Sequence, residues 1–208
     1  MAHHIVDQST WPRAAQFRFF RSYEKPHYAV TSRLDVTHLR ARKAEGVSAY
    51  RACLYAIGTG LHAVPELLMR FRGDQVLRYD MVTLSMSVPT DAGSFNYAYV
   101  PYLAGFAAFD AQAQSLIAQA ARGGPLNANS GERDDLAYLS CMPWLDYTSM
   151  NNALPGPDDC IPRVSWGKFV EQDGRWDMAM TLEVHHALVD GAQVGAYFAA
   201  VQKALDAI

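Results

Sequence analysis

Residues 164–205 read VSWGKFVEQDGRWDMAMTLEVHHALVDGAQVGAYFAAVQKAL. Asp173-Gly174 is the preferred pair for a two-residue hairpin, because both central residues of such a turn need positive φ. The flanking segments Val164–Glu171 and Arg175–Val184 therefore read as two antiparallel strands. After the second strand, Val194, Phe198, Val201 and Leu205 recur at helical spacing, which predicts a terminal helix of about four turns with one apolar stripe. Between strand and helix lies His185-His186-Ala187-Leu188-Val189-Asp190-Gly191.

Working outward, Val82–Val88 alternates: Val82, Leu84, Met86 and Val88 share one face, and Thr83, Ser85 and Ser87 the other. Gln16–Ser22, Tyr28–Asp35 and Ser94–Tyr102 also read as strands, and Leu67–Arg72 with Gln75–Tyr79 as a hairpin around Gly73-Asp74. Thr37–Glu45 reads as a short helix stopped by Gly46, Ser48–His62 as a longer one closed by Pro65, and Phe109–Arg122 as a third ending at Gly123-Gly124. Gly123–Glu132 and Asn151–Asp159 are loop-like. Hairpins outnumber βαβ units. The expectation is one α+β domain over residues 1–208, a two-layer sandwich with a mostly antiparallel or mixed sheet and helices on one face.

Composition narrows the function. The chain has 208 residues, half of them hydrophobic, which excludes a disordered chain. Its formal net charge of −3 argues against a general nucleic-acid binder. Cys53, Cys141 and Cys160 make an odd set with no CxxC, which disfavours a disulfide framework or a cysteine zinc site. No HExxH occurs, so no metal is expected. Neither a secretory signal nor an unbroken apolar span is legible, so a cytoplasmic location without membrane attachment is expected.

In the strand Met178–Val184, alternation groups Met178, Met180, Leu182, Val184 and, by continuation, His186 on the apolar face. His186 is therefore expected to point inward and His185 outward. Burial disfavours the imidazolium and leaves a neutral ring able to take a proton, or simply a core histidine bonded to backbone. Asp190, three residues before Gln193, fits a helix capping box as readily as a functional role.

The whole string HHxxxDG, followed by one terminal helix, resembles the chloramphenicol acetyltransferase family. Thr10-Trp11-Pro12-Arg13 with Phe17-Arg18-Phe19-Phe20-Arg21 is similar to that family's Asn-Trp-x-Arg…Phe-x-Phe-Tyr segment. Thr31-Ser32-Arg33-Leu34-Asp35-Val36-Thr37 resembles its Thr-Ser-Lys-Ile-Asp-Ile-Thr stretch, and Ser140 to Asn151 resembles its Ser-x-x-Pro-Trp-x-x-Phe-x-Ser-Phe-Asn segment. These landmarks keep their order over nearly the whole chain. HHxxxDG alone also marks peptide-synthetase condensation domains, and HxxxDG dihydrolipoamide acyltransferases, but those domains are longer.

The resemblance implies an acetyl-CoA-dependent O-acetyltransferase, trimeric, with its sites between subunits and direct transfer in a ternary complex. It implies His186 as general base and Ser140 as donor to the tetrahedral oxyanion. Asp190 paired with Arg13 would hold the histidine loop, with His185 in a supporting position and Ser165 near the oxyanion site. Phe20, Tyr28, Asn127, Asn152 and Arg163 fall at acceptor-pocket positions. There Asn127, Asn152 and Arg163 stand where the antibiotic-modifying members carry apolar residues, which suggests an acceptor more polar than chloramphenicol. Two other readings are a non-catalytic trimeric acyl-CoA or small-molecule binding homologue, and a hydrolase using Ser140 or Cys141. The second of these lacks a GxSxG.

Overall fold

The computed structural model describes all 208 residues. In chain order the strands are β1 (His3–Ile5), β2 (His27–Asp35), β3 (Met69–Arg72), β4 (Gln75–Tyr79), β5 (Thr83–Pro89), β6 (Phe95–Pro101), β7 (Leu136–Cys141), β8 (Arg163–Gln172) and β9 (Arg175–His185). The α-helices are α1 (Ala14–Arg21), α2 (Thr37–Arg42), α3 (Ala49–Ala63), α4 (Phe106–Ala121) and α5 (Gly191–Asp206). The main sheet is mixed and six-stranded, in the order β2-β9-β8-β7-β5-β6. The pairs β8–β7 and β7–β5 are parallel and the others antiparallel. A second sheet, β1-β4-β3, is antiparallel. The fold is α+β, with α3, α4 and α5 packed on the main sheet.

The local signals act as their chemistry dictates. Asp173 and Gly174 adopt φ of 51° and 81° and join β8 to β9. Gly46 follows α2 and a short 3₁₀ turn at φ 86°. Ser48 caps α3, its hydroxyl accepting from the Arg51 N–H. A β-bulge between Trp166 and Phe169 moves the β8–β9 register by one residue, so Arg163 stands opposite Glu183. Gly167 lies in this bulge, where a Cβ would press on the Leu145 carbonyl and the Tyr147 ring.

Strand β9 is buried on both faces. Cys53 of α3 meets Met178, and Tyr197 of α5 donates to the Met180 sulfur, so the even-numbered residues face the helices. The odd-numbered face is polar. Thr181 donates to the Tyr147 hydroxyl, Glu183 accepts from Asn152, and His185 reaches the Pro157 carbonyl, so the segment after β7 roofs this face. Burial of this second face was not anticipated.

Three other features differ from the sequence reading. Residues 16–22 form part of helix α1, not a strand. The run Phe17-Arg18-Phe19-Phe20 imitates alternation, but the helical period places Arg13, Phe17 and Phe20 on one side. Phe17 anchors that side against Trp11 and Phe71. β1 and β7 are short strands without turn signals of their own and were not foreseen. The inward continuation of β9 to His186 also fails. The strand ends at His185, and Leu188 and Val189 donate back to the His185 carbonyl in a turn. His185 is the buried histidine, 2% exposed.

Helix α3 crosses α5 at Gly60, where an added Cβ would collide with Val201 and stand 3.0 Å from the Tyr197 ring. A Cβ at Gly195, by contrast, meets nothing within 4 Å. Gly60→Ala is therefore expected to lower stability, because overpacking of about 1–3 kcal/mol exceeds a helix-propensity gain of about 1 kcal/mol. Gly195→Ala should raise it by up to about 1 kcal/mol. Thermal denaturation of the two variants checks the ordering, and the reverse ordering contradicts this helix packing.

Candidate active site

The turn after β9 is held from outside by one side chain. Arg13, at the start of α1, donates Nε to the Ala187 carbonyl at 3.0 Å and Nη2 to the His186 carbonyl at 2.6 Å. Both terminal nitrogens also bind the Asp190 carboxylate, Nη2 to Oδ1 at 2.7 Å. The guanidinium fork thus satisfies two turn carbonyls and one carboxylate together. Asp190 also opens α5, and its backbone N–H donates to Gln193 Oε1 at 3.1 Å. It is a helix cap and the partner of Arg13 at once. The Arg13 guanidinium holds the Asp190 carboxyl below the usual carboxylate range, so it stays ionised.

These contacts define the His186 ring. Its Nδ1 lies 3.2 Å from the Val189 carbonyl and 3.2 Å from Asp190 Oδ1. Both are acceptors only, so Nδ1 must carry the proton. The neutral ring therefore keeps its lone pair on Nε2. Phe20 stacks on the ring with centroids 3.8 Å apart and an interplanar angle of 13°, and Tyr28 tilts against it at 4.8 Å. The Tyr28 hydroxyl donates to the same Val189 carbonyl. Burial and the nearby Asp190 charge push the Tyr28 phenol up to about 12, so it remains a donor. The His186 side chain is about one-third exposed (36%).

His185 does different work. Its Nδ1 accepts from the Ala187 N–H at 3.1 Å, and Nε2 donates to the Pro157 carbonyl at 2.9 Å. Burial pulls its pKa down to about 4, aided by His27 and Arg21. It is a neutral cross-link between the turn and the roofing segment.

Ser140 lies elsewhere. It is on β7, in register with Ser165 on β8, Thr181 on β9 and Thr31 on β2. This hydroxyl row crosses the polar face, and the Ser165 hydroxyl is buried without a partner. Ser140 lines a cavity of about 880 Å³ whose walls include Phe95, Tyr97, Tyr138, Trp144 and Arg163. Strand spacing and rise put the Cα atoms of Ser140 and His185 roughly 16 Å apart. His186 is not in the cavity wall. The fold of one chain therefore does not bring His186 and the Ser140 cavity together.

The residues at acceptor-pocket positions divide in the same way. Phe20 and Tyr28 surround His186, and Arg163 lines the Ser140 cavity. Asn127 is exposed beside that cavity, its backbone engaged by Asn96 and Tyr99. Asn152 is outside it, with both its N–H and side-chain amide on Glu183. Arg163 is a buried strand residue, 9% exposed, paired with Asp159. The sequence reading passed over Asp159 and Glu183. An acid inside the apolar run of β9 marks Glu183, but its facing Arg163 depends on the bulge.

Burial pushes the Cys141 thiol up to about 12, so it is not a thiolate at neutral pH. With no imidazole beside Cys141 or Ser140 in the cavity wall, neither is activated as a nucleophile within the chain. No group of three or more metal-ligating side chains is gathered anywhere, and no helix is long and apolar enough to cross a membrane.

Comparison with known proteins agrees with this architecture. A family model described as chloramphenicol acetyltransferase matches residues 1–202. Chloramphenicol acetyltransferase 2 of Haemophilus influenzae is 24% identical over 206 residues, covering 98% of this chain and 97% of that one. A chloramphenicol acetyltransferase of Streptomyces acrimycini is 26% identical, covering 89% and 86%. Among solved structures, a chloramphenicol acetyltransferase superposes with a TM-score of 0.91 at 25% identity, covering 98% and 100%. A probable dihydrolipoamide acetyltransferase from Listeria monocytogenes superposes at 0.69 with 14% identity over 98% and 93%, which speaks to fold alone.

The low pKa of His185 has a consequence for stability. The unfolded chain binds a proton on this residue near pH 6.5 and the folded chain only near pH 4. Stability should therefore fall as pH drops from about 6.5 to about 4, by up to about 3 kcal/mol, and this contribution is constant above and below that window. Denaturant titrations of wild type and His185→Asn across pH 7 to 4 check it. A slope between pH 6 and 4.5 that His185→Asn leaves unchanged contradicts the assignment.

Proposed function

This chain belongs to the chloramphenicol acetyltransferase family and is an acetyltransferase, and from that premise we propose that it moves the acetyl group of acetyl-CoA to a hydroxyl of a small acceptor with His186 as general base. The observation that carries the proposal is the His186 tautomer. Val189 and Asp190 place only acceptors at Nδ1, which leaves the Nε2 lone pair for an acceptor hydroxyl. Such a base contributes about 10²–10⁴ in rate.

The reaction balances with few protein groups. Nε2 takes the acceptor proton as that oxygen bonds to the thioester carbonyl carbon. The Ser140 hydroxyl donates to the oxyanion that forms. Collapse breaks the carbon–sulfur bond, and the imidazolium returns its proton to the leaving thiolate. No side chain is acylated, so transfer is direct within a ternary complex. The cavity suits this role. Its volume is at the upper end for small-molecule sites, its walls are largely apolar, and Ser140 supplies a hydroxyl donor.

The separation of His186 from Ser140 supports a site built between two copies, with His186 of one subunit facing the Ser140 cavity of its neighbour. A cyclic homotrimer, as the family resemblance implies, supplies such heterologous contacts. The exposed Phe19, Tyr23, Trp144 and Leu145 offer apolar surface for them. The alternative of a non-catalytic binding homologue is disfavoured by the complete set of His186, Asp190, Arg13 and Ser140.

The test follows CoA thiol release from acetyl-CoA with chloramphenicol and with other alcohols. His186→Ala is expected to lower the rate at least about 10²-fold and Ser140→Ala about 10²–10³-fold, with acetyl-CoA still bound. Acceptor-dependent release that survives His186→Ala would remove the general-base assignment.

A further inference from the structure

The turn that carries His186 is held on one side by Arg13 and on another by the start of β2. The Pro26 carbonyl accepts from the His186 N–H at 2.9 Å, and two residues on the Tyr28 hydroxyl donates to the Val189 carbonyl at 3.2 Å. Between them the His27 ring reaches the Asp159 carbonyl instead. β2 pairs with β9 in unbroken register, with His27 opposite His185 and Tyr28 opposite Val184. Pro26 and Tyr28 therefore tie both ends of the turn to the frame of the sheet.

The Val189 carbonyl is the group that depends most on this second support. Arg13 binds the carbonyls of His186 and Ala187. Val189 is served by two donors only, Nδ1 of His186 and the Tyr28 hydroxyl. Of these, Tyr28 alone is anchored independently of the ring that the carbonyl has to orient.

Two acceptors compete for the Nδ1 proton. The Val189 carbonyl and Asp190 Oδ1 both lie 3.2 Å away. The carboxylate offers a charge-assisted bond, which is the stronger kind. Arg13 offsets part of that pull by binding both carboxylate oxygens. Phe20 does not oppose it, because a stacked ring fixes the plane of the imidazole and leaves rotation within that plane free. Such a rotation toward Asp190 would swing Nε2, across the ring, out of its present direction. A carbonyl pinned in place at Nδ1 opposes it.

Resting on the reading of His186 as general base, we propose that Tyr28 is a positioning residue for the reaction. Its hydroxyl fixes the Val189 carbonyl, so that Nδ1 of His186 bonds there and Nε2 keeps its aim at the acceptor hydroxyl. The effect runs through the backbone. The phenol proton is spent on Val189 and is not offered to the acceptor.

The test uses Tyr28→Phe, which removes one oxygen and keeps the ring against His186, beside a protein with 3-fluorotyrosine at position 28, which keeps the hydroxyl. The first readout is the Nδ1 proton resonance of His186 in histidine-labelled protein, assigned by its loss in His186→Ala. In Tyr28→Phe it is expected to move downfield, as the bond passes from a neutral carbonyl to a carboxylate. The fluorotyrosine protein should keep the wild-type position. The second readout is CoA thiol release with chloramphenicol and with 3-phenylpropanol. In Tyr28→Phe, kcat should fall at least about fivefold for both, with every KM within about twofold of wild type, and the fluorotyrosine protein should recover the rate.

A resonance that stays in place overturns the proposal, whatever the rate does. So does a loss confined to KM or to one acceptor, which would make Tyr28 an acceptor contact, or an equal loss in both proteins, which would make the effect one of packing. Release that depends on His186 while the resonance of Tyr28→Phe is unmoved removes this inference alone. Release that survives His186→Ala, or none from wild type with either alcohol, removes the general-base reading and this inference with it.

Discussion

The fork of Arg13 is the contact on which the rest of the site depends. The turn after β9 exposes carbonyls that no strand or helix satisfies, and Arg13 takes those of His186 and Ala187 together with the Asp190 carboxylate. With the turn fixed, Val189 and Asp190 stand at Nδ1 of His186, and the ring has one tautomer available to it. A lysine would supply the charge but not the planar fork that reaches three groups. The ring plane is set separately by Phe20, which α1 presents two turns after Arg13. Helix α1 thus supplies both the clamp and the stacking partner, which a strand at these residues would not place on one side.

The polar face of the main sheet gives the second constraint. Strand β9 buries apolar residues toward the helices and hydroxyl, carboxylate and imidazole groups toward the roofing segment. His185 and His27 tie that segment down through the carbonyls of Pro157 and Asp159. Asp159 in turn holds Arg163 at the cavity wall. The loop that carries His186 and the wall of the Ser140 cavity are therefore parts of one hydrogen-bonded structure, although they face different directions. In the proposed assembly each chain gives its histidine to one site and its cavity to another.

How far this was legible in the sequence varied with the physics of each segment. The hairpin at Asp173-Gly174 and the helices ending at Gly46 and Gly123 were readable because positive φ favours specific residues there. Helix α1 was not, since eight residues of mixed phenylalanine and arginine fit a two-residue period nearly as well as a helical one. The exchange of roles between His185 and His186 arose where the strand stops, a boundary set by a turn that Arg13 stabilises from 173 residues or more away in the chain. Periodicity carries no information about such a contact. Likewise Arg163 faces Glu183 only because of the bulge at Trp166–Phe169. A regular hairpin would pair Arg163 with Val184 and turn it toward the helices. The motif residues themselves were found by resemblance, and the physical role of each became clear only with its partners.

The central claim is that the reaction site is completed by two chains. Mixing His186→Ala chains with Ser140→Ala chains, by co-expression or by joint refolding, tests it most directly. Each variant alone should be nearly inactive. The mixed protein should regain acetyl transfer, because some sites then receive an intact histidine from one chain and an intact Ser140 cavity from the other. A mixed assembly as inactive as its parents would contradict the account.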